Sequence, residues 1–322
     1  MSKAIQLLEE INVYVSTIKG VVRDTLSVRK NSAYLAKLRN DILSHEVELV
    51  KDHPDLEETI SYIKKTSAIS AFNSPFEKKY GEMNVVPFFD EEKRLKCVIH
   101  KNKKLYYPRM MRKTMINMLY RSVCLEQDID SPHRYLDMDE NLNDYILFDC
   151  GCAEANFSLE VIDQVKKAYL FEGDDQWIRP LKATFSSWKD KVRIVRKYVG
   201  ESGENMISLR RFMERLAEKG EIDFDKDNIF IKMDIEGFEP VVMNDILPML
   251  REIKHLKMAV CLYHRAEHEK VIRQILPKEY VGRVRDGYML FISEKDLPGN
   301  KKPEYPYFRH GIMRIERKTE QI

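Results

Sequence analysis

What the chain has little of narrows the field first. Glycine and proline number only 12 each in 322 residues, too few for a collagen-like or low-complexity chain. Cysteine is sparse and odd in number: Cys97, Cys124, Cys150, Cys152 and Cys261 lack the paired spacing of a zinc site or a disulfide framework. They read as reduced thiols of a cytoplasmic protein. An excess of one charge is also missing, since 54 lysines and arginines face 52 aspartates and glutamates. Net charge therefore supplies no field to gather nucleic acid or an anionic membrane, and no nucleic-acid partner is expected. No run of about 18 uncharged apolar residues occurs, so no transmembrane segment is expected. Met1 to Glu10 carries glutamates in place of the basic and apolar blocks of a secretory leader.

What is present suits a packed globule: 43% of residues are hydrophobic and 33% charged. The length predicts one catalytic domain with an appendage. Apolar residues at Ile5, Leu8, Ile11, Val15, Ile18 and Val22 share a helical stripe, and Leu35, Leu38 and Ile42 form a second. After Pro54, the run Asp55-Leu56-Glu57-Glu58 resembles a capping box opening a third helix that contains Ile60 and Ile63. Residues 1–80 thus read as a helical accessory region, either a packing layer or lid or a surface for homo-oligomerisation. Over 81–140 the pattern turns to β-type runs, Val85–Phe89, Leu95–His100 and Leu105–Tyr107, a small meander with a connecting segment. Its Lys101, Lys103 and Lys104 suit either an anionic substrate or, more ordinarily, solvent.

From 141 to 322 strands alternate with helices. Tyr145–Asp149, Ala168–Glu172, Val192–Arg196, Ile229–Asp234 and Met258–Tyr263 read as strands. Between them, Asn156–Val165, Gln176–Trp188, Leu209–Ala217, Glu239–Leu250 and Glu267–Leu276 read as helices. Apolar runs separated by helices imply a parallel sheet covered on both faces. Two further strands, Tyr288–Ile292 and Phe308–Glu316, close the series as an antiparallel pair.

Ligands of open parallel sheets bind at the carboxyl ends of the strands. The first strand ends at Asp149 and turns through Cys150, Gly151, Cys152, Ala153, Glu154 and Ala155 into the helix at Asn156. Small residues there allow a cofactor close to the main chain. An acid at the tip suits an ammonium group better than a pyrophosphate, which favours S-adenosylmethionine over a dinucleotide. The second strand ends at Glu172, beside Gly173, where a carboxylate can accept both ribose hydroxyls. Lys197, Tyr198 and Val199 follow the third strand, where an adenine ring packs.

The fourth strand runs Ile231-Lys232-Met233-Asp234-Ile235-Glu236-Gly237-Phe238-Glu239. This stretch resembles the signature of FkbM-type methyltransferases, an Asp-x-Glu-Gly-x-Glu run after a lysine-containing strand. The Asp149 to Ser158 turn, Phe171-Glu172, Val260 to His264 and Arg309-His310 match in order, so the resemblance covers roughly Tyr145 to Arg317. It implies a Rossmann-like methyltransferase fold of class α/β, a mostly parallel seven-stranded sheet with an antiparallel last strand. The departures are Ala155 for the last glycine of the turn, Ala153 where asparagine is frequent, Arg210 for an aspartate, and His268 for an acid.

The resemblance also implies methyl transfer from S-adenosylmethionine to a hydroxyl of a sugar, glycan or secondary metabolite. The cofactor would lie on Asp149, Gly151, Cys152, Ala155, Asn156, Glu172, Gly173, Tyr198, Val199 and Asp234. His264, at the end of the fifth strand, is the first candidate for general base, with Asp234 and Glu236 as alternatives or as holders of the methionine part. A histidine simply hydrogen-bonded at a strand end fits position 264 equally well. No metal is expected, because acids two and three apart across a strand-to-helix turn need not converge. Tyr106, Tyr107, Tyr305 and Tyr307 are candidates to line a sugar site. Two rival classes differ in what they require. A dinucleotide oxidoreductase needs more glycines than Gly151, and a degenerate cofactor-binding or scaffolding protein needs only the fold.

Overall fold

In the computed structural model, residues 34–201, 203–290 and 305–318 are described, and the helix expected over Ile5–Val22 lies outside them. Helical residues 34–44 (α1) lead into α2 (Glu46–Asp52), α3 (Glu57–Lys65) and α4 (Lys78–Gly81). The meander β1 (Phe88–Asp90), β2 (Leu95–His100) and β3 (Lys103–Tyr107) follows, then α5 (Lys113–Glu126). The alternating part comprises β4 (Tyr145–Cys150), α6 (Asn156–Val161), β5 (Lys167–Phe171), α7 (Asp175–Thr184), β6 (Val192–Val195), β7 (Tyr198–Val199), β8 (Met206–Ile207), α8 (Leu209–Glu218), β9 (Asn228–Met233), α9 (Glu239–Leu250), β10 (His255–Cys261) and α10 (His268–Ile275). It closes with β11 (Tyr280–Val284), β12 (Met289–Leu290), β13 (Phe308–Arg309) and β14 (Ile312–Arg317).

The main sheet has seven strands in the order β11-β14-β10-β9-β4-β5-β6. All pair in parallel except β14, which runs antiparallel to both β10 and β11. Numbered along the chain this is 6-7-5-4-1-2-3, a Rossmann-like methyltransferase fold. The order reverses between β4 and β9, so the crevice at the topological switch lies outside those two tips. Successive side chains on a strand point to opposite faces. Ile146, Phe148, Tyr169, Phe171, Ile229, Ile231 and Met258 therefore pack with α8 and α9, while Leu147, Leu170, Phe230 and Ala259 pack with α5, α6 and α7.

Several expectations are corrected. The Asp55 capping box does not form: α3 has Leu56 at its N-cap, and Asp55 accepts from the Tyr288 hydroxyl at 2.8 Å. A true capping box stands at Ser74 and Glu77. Of the strand expected over Tyr288–Ile292, Met289–Leu290 joins Phe308–Arg309 in a separate two-stranded sheet, residues 291 and 292 lie outside the described residues, and the main sheet takes Tyr280–Val284 instead. α5 falls in what reads as a connecting segment. The four tyrosines make no common surface. Tyr106 is buried and donates to Asp90, Tyr107 is fully buried, Tyr305 donates to Asp52, and Tyr307 packs on the N-terminal helices. The meander lysines are spent on ion pairs, Lys101 with Glu160, Lys103 with Asp163 and Lys104 with Asp90. Leu38, Ile42, Leu49, Leu56, Ile60 and Ile63 of the N-terminal helices close on Tyr288, Leu290 and Phe308. All five cysteines are free thiols.

Candidate active site

Gly151 begins the turn after β4 in a left-handed conformation, φ +76°, against the end of β9. A Cβ there would stand 2.0 Å from the carbonyl oxygen of Asp234, so no side chain fits. Ala153 (φ 44°) and Ala155 (φ 58°) are also left-handed, which costs an L-residue roughly 1–2 kcal/mol each. The turn is tied to the neighbouring tip by Glu172, whose carboxylate accepts from Ala153 N at 2.9 Å and from Asp174 N at 2.7 Å. Burial raises the Glu172 pKa against the lowering effect of those two amide donors. Each oxygen keeps a lone pair for another donor. Tyr198 does not stand apart as the side of an open slot: its ring lies on Gly173, where a Cβ would come within 2.3 Å of it. It is 48% exposed, while Val199 beside it is buried.

Asp149, expected to face an ammonium group, is enclosed instead. It is 1% exposed, accepts from Ser158 Oγ at 2.6 Å, and pairs at 3.0 Å with Lys232, its partner in register on β9. Lys232 Nζ also donates to the Gly151 carbonyl at 2.6 Å. The charge of Asp149 therefore braces the turn from within. A cavity of about 70 Å³ opens over the turn, lined by Glu126 from α5, Glu154, Asp234, Asn156 and Tyr135 among others. Burial, then the charges of Asp234 and Glu154, push Glu126 up to about 8. Burial lifts Glu154 to about 7, with Asp149 and Asp234 adding to the effect. Asn156 is 8% exposed, and its Nδ2 has no hydrogen-bond partner. Cys152 is buried too, which raises its thiol pKa well above the ordinary range.

Across the switch point, Asp234 collects hydroxyls. Tyr135 donates to Oδ2 at 2.8 Å and Tyr263 to Oδ1 at 3.0 Å. Burial opposes its charge, but Lys232, His133 and His264 outweigh burial and hold the carboxyl well below the usual range. His264 Nε2 lies 3.5 Å from Asp234 Oδ1 and 3.7 Å from Glu236 Oε2. Its Nδ1 lies 3.0 Å from the fully buried Glu239, whose other oxygen is 3.4 Å from His268 Nδ1. Burial lowers the His264 pKa, yet the bond to Glu239 and the charges of Asp234 and Glu236 raise it overall. Glu236 is left-handed (φ 56°) with a 79% exposed side chain, an acid at the rim.

The structure thus brings His264, Asp234 and Glu236 together, and sets Gly151, Cys152, Ala155, Asn156 and Glu172 around the adjoining turn. Glu126, Tyr135, His133 and Glu239 were not assigned roles from sequence. His133 and Tyr135 come from a segment without a periodic signal beyond the polar-aromatic grouping Ser131-Pro132-His133-Arg134-Tyr135, while Glu126 ends α5, whose Ile116, Leu119, Tyr120 and Val123 do follow a helical stripe. Glu239 is the last acid of the fourth-strand motif.

No family model matches the chain, and no curated protein matches it. Among solved structures it is similar to the methyltransferase FkbM from Methylobacillus flagellatus KT, with 16% identity over 62% of this chain and a TM-score of 0.38. The match spans about half (52%) of that protein's length. It is also similar to the M. jannaschii tRNA m1G37 methyltransferase (12% identity, 70% of this chain, 57% of that one, TM-score 0.36). A third is precorrin-6y C5,15-methyltransferase from Geobacter metallireducens GS-15 (11%, 55% and 82%, TM-score 0.33).

Proposed function

We propose that this protein is an S-adenosylmethionine-dependent O-methyltransferase of the FkbM type, acting on a hydroxyl of a sugar, glycan or secondary metabolite. The observation that carries the reading is the cavity at the β4/β9 switch, with Glu126, Glu154 and Asp234 around it and the Asn156 amide without a partner. That donor set fits a zwitterionic amino-acid end: carboxylates for its ammonium, an amide donor for its carboxylate. Glu172, one strand over, would accept the ribose hydroxyls. Tyr198 would leave Gly173 to admit the adenine.

When bound, the cofactor supplies a methyl group already activated by positive charge, so alignment is much of the catalysis. His264 is the base in this reading. Glu239, 3.0 Å from Nδ1, would take the proton on that nitrogen as a hydrogen bond, which would fix the tautomer and leave Nε2 to take the proton of the acceptor hydroxyl. Asp234, held ionised, stabilises the imidazolium that forms. Glu126 and Glu154, raised towards neutrality by burial, would hold the cationic end as carboxylates, releasing their protons to solvent.

Calorimetric titration with S-adenosylmethionine tests the reading. Wild-type protein is expected to bind, and Glu172→Ala to bind more weakly by about 1–3 kcal/mol through lost hydrogen bonds. Absence of wild-type binding would leave the fold as a scaffold and reject the enzyme. Equal affinity in the variant would reject the ribose assignment. Incorporation of labelled methyl groups into a panel of glycans and hydroxylated small molecules then identifies the acceptor.

A further inference from the structure

Behind the cavity, three side chains from distant parts of the chain converge on one point. His133, 1% exposed, aims Nε2 at the thiol of Cys261, 3.8 Å away, and at Asp234 Oδ2, 3.7 Å away. All three candidate donor atoms lie within 4.8 Å of one another. The histidine-to-carboxylate separation is too long for a hydrogen bond. A tetrahedral zinc site has N–O and N–S edges of about 3.4–3.6 Å, from bonds of about 2.0–2.3 Å. The separations seen are within a few tenths of an ångström of those edges.

The layer around Asp234 supports the same reading, while His133 Nδ1 has no hydrogen-bond partner. Carboxylates that bind metals are themselves hydrogen-bonded, and Asp234 is held by the hydroxyls of Tyr135 and Tyr263. The His133 ring is seated between the rings of Tyr135 and Tyr263, at centroid distances of 5.2 and 5.0 Å. Asp234 and Tyr135 line the cavity, so the carboxylate side of the cluster faces it, while His133 and Cys261 lie behind.

We propose that His133, Asp234 and Cys261 form a binding site for a zinc-class divalent transition metal. A thiolate, an imidazole and a carboxylate select zinc or cobalt over magnesium and calcium, which take oxygen donors. On binding, the Cys261 thiol gives its proton to solvent and sulfur forms the metal bond. The site shares Asp234 with the proposed active site, but metal uptake is measured without methyl transfer.

Cobalt(II) titration of the full-length, chelator-treated protein tests the site. One equivalent is expected to bind, with a thiolate-to-cobalt absorption band in the near ultraviolet and a rise in melting temperature. Tyr135→Phe, which removes only a hydrogen bond to the ligating carboxylate, is expected to weaken cobalt affinity about 10–100-fold. Cys261→Ser is expected to abolish the band, and His133→Gln to weaken binding further than Tyr135→Phe. A folded wild-type protein that takes up no cobalt, or takes it up without the band, overturns the proposal whatever the variants do. So does a band that persists in Cys261→Ser. Uptake lost in Glu239→Gln and unchanged in His133→Gln would assign the ion to the His264 cluster instead and overturn it equally.

Discussion

Between the tips of β4 and β5 the chain presents mostly main chain: a glycine and two alanines in left-handed conformations, tied through the Ala153 amide to the Glu172 carboxylate. Between the tips of β9 and β10 it presents side chains, with Asp234, His264, Glu239 and His268 in a file and tyrosines bracing the first of them. The first half depends on backbone shape and tolerates little added volume. The second depends on charge placed in a poorly solvated space, where each group sets the ionisation of the next. Lys232 joins the two, bonded from β9 to Asp149 and to the Gly151 carbonyl.

Breaking that join should have the largest effect. Lys232→Met leaves Asp149 buried without a counter-charge and is expected to cost about 3–5 kcal/mol, measured by denaturant unfolding. A loss under about 1 kcal/mol would mean that the pair is solvated and the halves independent. Gly151→Ala attacks the main-chain half alone. Left-handed strain and the clash with the Asp234 carbonyl together predict a loss of about 3 kcal/mol in the same assay. Glu239→Gln sharpens the side-chain half. In the proposed reaction the raised His264 pKa places the acid limb of activity above the ordinary histidine value of about 6.5, since a base works only when neutral. Removing the Glu239 charge moves that limb to lower pH, and an unmoved limb would exclude His264 as the base. Ala155→Gly should have the smallest effect: relief of left-handed strain, less the added chain entropy of glycine, predicts a gain of up to about 1 kcal/mol.

The same division explains how much could be read in advance. Strands buried on both faces announce themselves as apolar runs, so β4, β5, β9 and β10 were legible to within a few residues. β11 was not. Its Tyr-Val-Gly-Arg-Val stretch is half exposed at the sheet edge and neither alternates nor runs apolar. The Gly151 turn and the fourth-strand acids were legible because their spacing is local. Tyr135 meets Asp234 across 99 residues and His133 meets Cys261 across 128, and no local pattern reports such pairs. Asp149 was placed on the right tip with the wrong neighbour, because register across to Lys232 is a property of the sheet. Ala153 and Ala155, departures from the family turn, keep the glycine-like conformation regardless of their side chains.

The Tyr288 hydroxyl reaches Asp55 across 233 residues of chain, and Leu290 and Phe308 complete the cover over α1 to α3. During synthesis those helices emerge long before the residues that shield them, and at ordinary elongation rates the wait is about 10 to 50 seconds. Through that interval Leu38, Ile42, Leu49 and Ile60 lack the cover that Tyr288, Leu290 and Phe308 later supply, which makes these helices a natural client for a holding chaperone.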